Sequence, residues 1–424
     1  MVCTERLKNN NIERVGNMVE SNLLRLMQYA GMNCPYYENL FRMNNINVFN
    51  IEDFFKIPVL TKQIIQQNER LIISRAYRIE DLIVERTSGS TGLPLYCRYD
   101  KEERVRRSMF LWRERKRNSP SIIGQRMVNF HAGNRVQGTS LRENNIEIDE
   151  KNKVLYLNYL DMNKNTVTEY YNAIARYKPF FIRCQPSAIC EFIRFCKKNG
   201  LETSSLGVEY IELAGEFVHD YVAEEVKNAF PNAFVANQYG AQEFFCIAYS
   251  CRFNSLHILE DSVYVEILNK DQDGFGEIAI TSLNNYAMPF IRYKIGDIGR
   301  VIHTGCNCEK QEAILELKSA RSCEYFELNG HKVHGNIFKN CIEKFNANKN
   351  DLFIRQFQVF QVSEDSFVIN IISERDGFTE EFKNFTENYI KSRMDLVVNV
   401  KAELCEELQI NPVSRKLKMY NFLK

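Results

Sequence analysis

Residues 180–214 read FFIRCQPSAICEFIRFCKKNGLETSSLGVEYIELA, and this stretch decides the fold. FFIRC and VEYIEL are short runs rich in β-branched and aromatic residues, the composition of buried strands. Between them, residues 186–199 carry apolar side chains at helical spacing and stop at Gly200, a residue suited to a helix C-terminus. Strand, helix and strand in this order make a βαβ unit. The alternation continues on both sides. RMVNF (126–130), VLYLNYL (154–160) and AFVANQ (233–238) read as strands, and 166–178 and 219–230 as helices, the last ending before Pro231. The reading is a large α/β N-terminal domain with mostly parallel sheets covered by helices.

Farther out the pattern changes. From 243 to 318, short strands and tight turns, as at Asp273-Gly274, predict a smaller antiparallel or barrel-like β subdomain. Beyond it come a strand near 324–328, a helix near 335–346 and two alternating strands, LFIRQFQVFQV and SFVINIIS. A helix at 379–393 and a strand at 396–404 complete a compact α+β unit. A boundary near 319–322 divides the chain into a large N-terminal core, 1–319, and a small, mobile α+β C-terminal lid domain, 320–424. Upstream, 17–30 predicts a helix ending at Gly31. Asp100 with Glu103 forms a capping box for a basic helix through Arg117, whose charges read as a solvated face.

Composition narrows the function. With 424 residues, 45% hydrophobic and 26% charged, the chain is globular and long enough for two or three domains. Lys and Arg number 55 against 54 Asp and Glu, so no bulk polycation is offered to nucleic acid. No apolar run reaches the roughly 20 residues of a membrane helix, and the N-terminal MVCTERLKNNNIER lacks an apolar signal core. The expected location is the cytoplasm. The 13 cysteines, an odd number lying mostly in apolar segments (Cys184, Cys190, Cys196, Cys341), fit reduced core thiols.

The sharpest chemical signal is Thr87-Ser88-Gly89-Ser90-Thr91-Gly92-Leu93-Pro94. Glycines let a backbone approach phosphate closely, and N–H groups and hydroxyls donate to its oxygens. No Gly-Lys-Ser/Thr follows, so it is not a Walker loop, and its spacing misses the Gly-x-Ser-x-Gly of a nucleophile elbow. Three further segments follow: Asn237-Gln238-Tyr239-Gly240-Ala241-Gln242-Glu243, Arg292-Tyr293-Lys294-Ile295-Gly296-Asp297-Ile298-Gly299-Arg300 and Pro412-Val413-Ser414-Arg415-Lys416-Leu417-Lys418. In this order and spacing the set resembles the adenylate-forming (acyl-CoA synthetase-like) superfamily. There the pattern runs Ser-Gly-Ser/Thr-Thr-Gly-x-Pro, Tyr-Gly-x-x-Glu, Tyr-x-x-Gly-Asp and a lone C-terminal Lys. Cys34-Pro35-Tyr36-Tyr37 and Ile57-Pro58-Val59-Leu60-Thr61-Lys62 resemble more narrowly its phenylacetate–CoA ligase branch, which includes capsule-biosynthesis-associated members.

The resemblance implies an enzyme that activates a carboxylic acid with ATP to acyl-AMP, releases pyrophosphate and passes the acyl group to coenzyme A. Such chemistry depends on positioning and charge neutralisation. The loop from Thr87, Ser88, Gly89, Ser90 and Thr91 to Gly92 would hold the β- and γ-phosphates. Tyr239 would face adenine and Asn237 its edge, with Gly240, Ala241 and Gln242 in the same nucleotide segment. Glu243 would bind Mg²⁺, Asp297 both ribose hydroxyls, and Lys416 the α-phosphate and carboxylate oxygens. Gly215 and Glu216 resemble the lining of the adenine pocket. Arg321 resembles the arginine that opens the C-terminal domain, and Gly330 the glycine of a loop that enters the site when that domain rotates about 320–323. Three residues depart from the pattern: Leu93 where many members carry Lys, Gln242 for Thr, and Cys323 where the hinge acid usually lies. His131, in NFHAGN, falls in the region that lines the acid pocket of relatives; a lone His is more often a satisfied structural residue. The partners expected are ATP and a small carboxylic acid, with no nucleic acid and no membrane span. An amide ligase acting on a glycan or small-metabolite amine, as in capsular polysaccharide biosynthesis, is the alternative, and a non-catalytic nucleotide-binding homologue the third reading.

Cys251 and His257, then Cys306 and Cys308, flank the Tyr293–Asp297 segment. Strands between the pairs would fold back and bring them together, the arrangement of structural zinc. The spacing alone leaves free thiols open. The resemblance favours a Cys₃His site, since some phenylacetate-ligase-like proteins carry such a cluster here, with His303 the substitute if His257 points elsewhere.

Overall fold

The computed structural model describes residues 17–422 except 87–94, 132–144, 164, 319–324, 350–352, 355, 374, 407 and 410–418. These residues form two compact units.

The first unit comprises 17–86, 95–118 and 238–318. Its N-terminal helix, Asn17–Asn33, runs past the predicted stop at Gly31. Helical bonding continues because Cys34 N still reaches the Ala30 carbonyl, and Pro35 then starts a new helix, Pro35–Met43. Leu23, Leu26, Met27, Tyr37 and Phe41 bury one side of this helix pair in a core shared with Ile278, Ile280 and Phe290. The sheet beneath is antiparallel, in the spatial order Val263–Leu268, Gly276–Ser282, Tyr293–Ile302, Ile314–Lys318, Leu256–Ile258 and Ala248–Ser250. It ends on Gln238 and Tyr239, the last two residues of the strand Phe234–Tyr239. The β subdomain is thus present in its antiparallel form.

The basic helix is Lys101–Asn118, and the Asp100 carboxylate caps it by accepting from Glu103 N at 2.7 Å. The expected solvated face is present at Lys101, Arg104, Lys116 and Arg117, which are exposed, but the opposite face also carries charge. Glu103, Arg107, Glu114, Arg115 and Asn118 are buried. Glu103 faces Arg107 one turn on at 2.8 Å, and Glu114 is ringed by Arg113, Arg117 and Lys310 at 2.6–3.0 Å. Each buried charge has a partner, which is the condition for burying it at all.

The second unit comprises 119–131, 145–237 and the described residues from 325 onward. Its sheet runs Phe234–Tyr239, Tyr210–Ala214, Phe181–Cys184, Met127–His131, Val154–Asn158 and Ile146–Asp149. The pairings from Tyr210–Ala214 through Val154–Asn158 are parallel. The helices Val167–Tyr177, Pro186–Lys198 and Asp220–Ala229 fall where helical spacing placed them, and bury Ile174, Phe192 and Val226 against the strands. The antiparallel edge strand Ile146–Asp149 escapes the sequence reading because it is four residues long and only partly buried.

From 325 the chain builds a core of its own around Phe326, Phe338, Phe345, Phe367 and Phe382. A hairpin joins Tyr325–Leu328 to His331–His334 through Asn329-Gly330, both at positive φ (50° and 74°), the turn that matches the twist of paired strands. The helix Asn336–Asn348 follows. A four-stranded sheet, ordered Asn399–Leu404, Ser366–Ile372, Gln356–Gln361, Tyr420–Asn421, packs with the helix Thr379–Met394. The α+β expectation is met; its second strand, His331–His334, was too short to see in advance. Within this unit Arg393 is 2% exposed. It pairs with Glu191 and donates to the carbonyls of Tyr159 (2.7 Å) and Met162 (2.6 Å), while Lys344 pairs with Asp161.

Candidate functional site

In the first unit the segment 238–243 occupies a sharp reversal. Tyr239 ends its strand, and eight residues later Ile247 N donates back to the Tyr239 carbonyl at 2.9 Å. The Ala241 carbonyl accepts from both Phe244 N (3.0 Å) and Phe245 N (2.6 Å). The Phe245 carbonyl lies so close to Gly240 that any Cβ there would collide with it, and Phe245 itself has φ 67°. Glycine is required by this close approach. The turn exposes Gln242 and draws Glu243 inward, leaving it 8% exposed.

Two tyrosines hold the acids. Tyr293 Oη donates to Glu243 Oε1 at 3.1 Å, and Tyr239 Oη donates to Asp297 Oδ2 at 2.8 Å. Asp297 is set by a bulge. Lys294 faces Ala279 and Ile298 faces Glu277, so Ile295, Gly296 and Asp297 together oppose the single residue Ile278. Gly296, at φ 94°, takes up the bend. Burial raises the Glu243 pKa and the charge of Asp297 adds to this, against the Tyr293 hydrogen bond and the charge of Lys62. Burial likewise lowers the Lys62 pKa, against the pull of Glu243. Arg107 Nη2 donates to the Glu243 carbonyl at 3.3 Å. Sequence reasoning quoted Tyr293 and Lys62 in their motifs but assigned them no role. The signal was a second aromatic residue four positions before Asp297, and a lysine closing the Ile57–Lys62 motif.

In the second unit, Gly215 (φ 86°) and Glu216 follow the buried strand Tyr210–Ala214. The Glu216 carboxylate accepts from Ser187 N (2.9 Å) and Ser187 Oγ (2.8 Å), capping the helix Pro186–Lys198. Asn237 is half-buried in its strand. His131 ends the strand Met127–His131, edge-on to Tyr156. Thr87, Ser88, Gly89, Ser90, Thr91, Gly92, Arg321, Cys323 and Lys416 lie outside the described residues.

The two Cys/His pairs converge. The ligand atoms of Cys251, His257, Cys306 and Cys308 all lie within 4.8 Å of one another. Cys251 Sγ is 3.5 Å from Cys306 Sγ, Cys306 Sγ 3.1 Å from Cys308 Sγ, and Cys308 Sγ 3.2 Å from His257 Nε2. His257 comes from the strand Leu256–Ile258, and Cys306 and Cys308 from the loop after the strand that carries Asp297. His257 Nδ1 donates to the Glu312 carbonyl at 2.8 Å, which turns the Nε2 lone pair toward the sulfurs, so His303 is not needed. Although burial opposes it, hydrogen bonds from Ser255, Cys308 and His257 lower the Cys306 thiol to about 6. Three thiols and an imidazole at these distances fit a tetrahedral soft-metal site.

No protein-family model matches the chain. Phenylacetate-coenzyme A ligase of Thermus thermophilus is 22% identical over 337 residues, 76% of this chain and 74% of that protein. Protein CapK of Staphylococcus aureus is 20% identical over 411 residues, 93% and 87% of the two chains. Among solved structures, 2-hydroxyisobutyryl-CoA ligase with 2-HIB-AMP and CoA in its thioesterification state aligns with a TM-score of 0.63 at 15% identity, over 96% of this chain and 89% of that one. The same ligase in a postadenylation state gives 0.60 at 14% identity, over 97% and 90%. The fold is that of the adenylate-forming, acyl-CoA synthetase-like superfamily. The sequence relatives that share this likeness are thus a phenylacetate-coenzyme A ligase and Protein CapK.

Proposed function

We propose that the protein is an ATP-dependent ligase that converts a carboxylic acid to its acyl-AMP and then to a coenzyme A thioester. The observation that carries this reading is the pairing of Tyr239 with Asp297 and Tyr293 with Glu243 in one unit of a chain with this fold. Asp297, fixed by a bulge and one tyrosine, offers carboxylate oxygens to two ribose hydroxyls. Glu243, fixed by the other, is a hard oxygen ligand for the Mg²⁺ that neutralises phosphate charge. The Thr87–Gly92 loop binds the β- and γ-phosphates, with Asn237, Gly215, Glu216 and Arg321 around the nucleotide and His131 toward the acid. The acid's carboxylate oxygen attacks the α-phosphorus and pyrophosphate leaves, while Lys416 holds the α-phosphate and carboxylate oxygens. The core 1–319 and the C-terminal domain 320–424 exchange poses between the two half-reactions.

Acid-dependent ATP–pyrophosphate exchange, screened over aryl, fatty and amino acids, tests the activity. Lys416→Ala is expected to lower exchange by about 100-fold or more; near-normal exchange in a folded variant would remove that role. An active enzyme that makes acyl-AMP yet never consumes coenzyme A would shift the acceptor to an amine.

The Cys251, His257, Cys306 and Cys308 set holds Zn²⁺ in this reading. Three thiolates and an imidazole close the coordination sphere, so the ion is structural: it ties the loop at 306–308 to the strands that present Asp297. Protein purified without added metal is expected to carry about one zinc per chain. Cys306→Ser is expected to lose both the metal and thermal stability. Metal-free protein whose three thiols alkylate freely under native conditions would reject the site.

A further inference from the structure

Lys62 opens the short helix Lys62–Gln67, directly after the residues Ile57–Thr61. That stretch is clamped to the strand leading to Asp297. Leu60 N donates to the Arg292 carbonyl at 3.0 Å, Lys294 N donates to the Leu60 carbonyl at 2.9 Å, and Leu60 bridges Tyr293 in parallel. Arg292, ion-paired with Glu266, also donates to the carbonyls of Phe55 (2.7 Å) and Ile57 (2.6 Å). Thr61 Oγ1 accepts from Ile64 N and caps the helix. Lys62 therefore follows by two residues the one, Leu60, that pairs with Tyr293, which in turn bonds Glu243.

Three observations point to an anion for this lysine. Its half-buried ammonium makes no hydrogen bond or ion pair among the described residues, yet it faces the charge of Glu243. The loop Thr87–Pro94 contains no cationic side chain, so its hydroxyls and N–H groups bring hydrogen bonds but no positive charge to a polyphosphate. Cys97, in the strand Tyr96–Tyr99 of the same unit, lies in electrostatic reach of both Lys62 and Glu243, so the lysine and the acid face one neighbourhood.

We propose that Lys62 is the cation that grips the β- and γ-phosphates of ATP, and then the departing pyrophosphate, opposite Glu243. The inference rests on the adenylate-forming reading. In the reaction the bond from the α-phosphorus to the bridging oxygen breaks as the bond to the acid's carboxylate oxygen forms. Lys62 forms no covalent bond and transfers no proton; it neutralises charge gathering on the leaving group.

Calorimetric binding of Mg·ATP, Mg·pyrophosphate and AMP to wild-type protein, Lys62→Met and Lys62→Arg tests this, with thermal melting as the check on folding. Lys62→Met is expected to weaken Mg·ATP and Mg·pyrophosphate by about 10- to 100-fold and AMP by less than about 2-fold. Lys62→Arg is expected to restore most of the loss, because it keeps the charge. If Lys62→Met does not fold, Lys62→Gln takes its place with the same expectation. Wild-type affinity for Mg·ATP in a folded neutral variant overturns the proposal. So does equal weakening of AMP and ATP together with a lower melting temperature, which is the signature of a resting counter-ion for Glu243. Wild-type protein that binds neither ATP nor AMP overturns the adenylate-forming reading itself, and this proposal with it.

Discussion

At the scale of single residues, Gly240 and Glu243 make opposite demands on the same turn. A Cβ on Gly240 meets backbone, not a movable side chain, so the reversal must open to admit it. Gly240→Ala is expected to cost about 3 kcal/mol in urea unfolding and to impair adenylation as well, because Glu243 shifts with the turn. An unchanged unfolding midpoint would contradict the close approach. Glu243→Gln should behave differently. It removes a carboxylate whose burial raises its pKa, so the folded protein is expected to melt at the same temperature or higher. Its Mg²⁺-dependent exchange is expected to fall by about 100-fold or more. Exchange within a few-fold of wild type would exclude Glu243 from the metal.

At the scale of elements, the helix Lys101–Asn118 links the two chemical regions of the first unit. Arg107 near its start bonds the Glu243 carbonyl, and Asn118 at its end bonds the Ser250 carbonyl next to Cys251. Glu114 anchors it. Burial alone would raise the pKa of this carboxylate, but Lys310, Arg113 and Arg117 outweigh burial and hold it below its ordinary value of 4.5. A native pKa below the unfolded one means that the unfolded chain binds the proton more readily. The stabilisation is therefore present above the ordinary value and is lost as the pH falls through the native one. Glu114→Gln is expected to cost about 3 kcal/mol at pH 7, the low end for a buried pair because Arg113 and Arg117 are partly solvated. The difference from wild type should shrink as the pH is taken below 4.5. Urea midpoints at the two extremes measure it, and a pH-independent gap would show that shape and not charge is responsible.

At the scale of the molecule, the C-terminal α+β region has its own aromatic core, and within its unit it is fastened by buried charge. Arg393 satisfies Glu191 and two carbonyls at once. Arg393→Met is expected to destabilise the protein by about 3 kcal/mol or more and to hasten proteolytic separation of the residues beyond 325. Adding Glu191→Gln should recover part of the loss, since it removes the stranded charge. Additive effects would mean that the two do not act as a pair. If the C-terminal domain rotates during the reaction, this pair must break on each turnover, and Arg393→Met would then alter the ratio of adenylation to thioester formation.

What could be read from the chain alone follows from periodicity and local chemistry. Helices such as Pro186–Lys198 and strands such as Phe181–Cys184 announce themselves because the side of the chain that faces a core repeats at the period of the element. The ordered motifs carry the resemblance to adenylate-forming enzymes, and the Cys/His pairs are visible as ligand types with a folded insert between them. Other features depend on partners distant in sequence. Whether Arg107 and Glu114 face water or a core is decided by Glu243 and Lys310, more than a hundred residues away. The partner of the Glu216 carboxylate, Ser187, is brought to it only by the fold. Short elements such as Ile146–Asp149 carry too few residues to show a period, and only pairing with a neighbour makes them strands. Lys62 is the clearest case. Its residue type is read in one letter, but the electrostatic field that gives it a task comes from Glu243, brought near by the clamp between Leu60 and the strand at Tyr293.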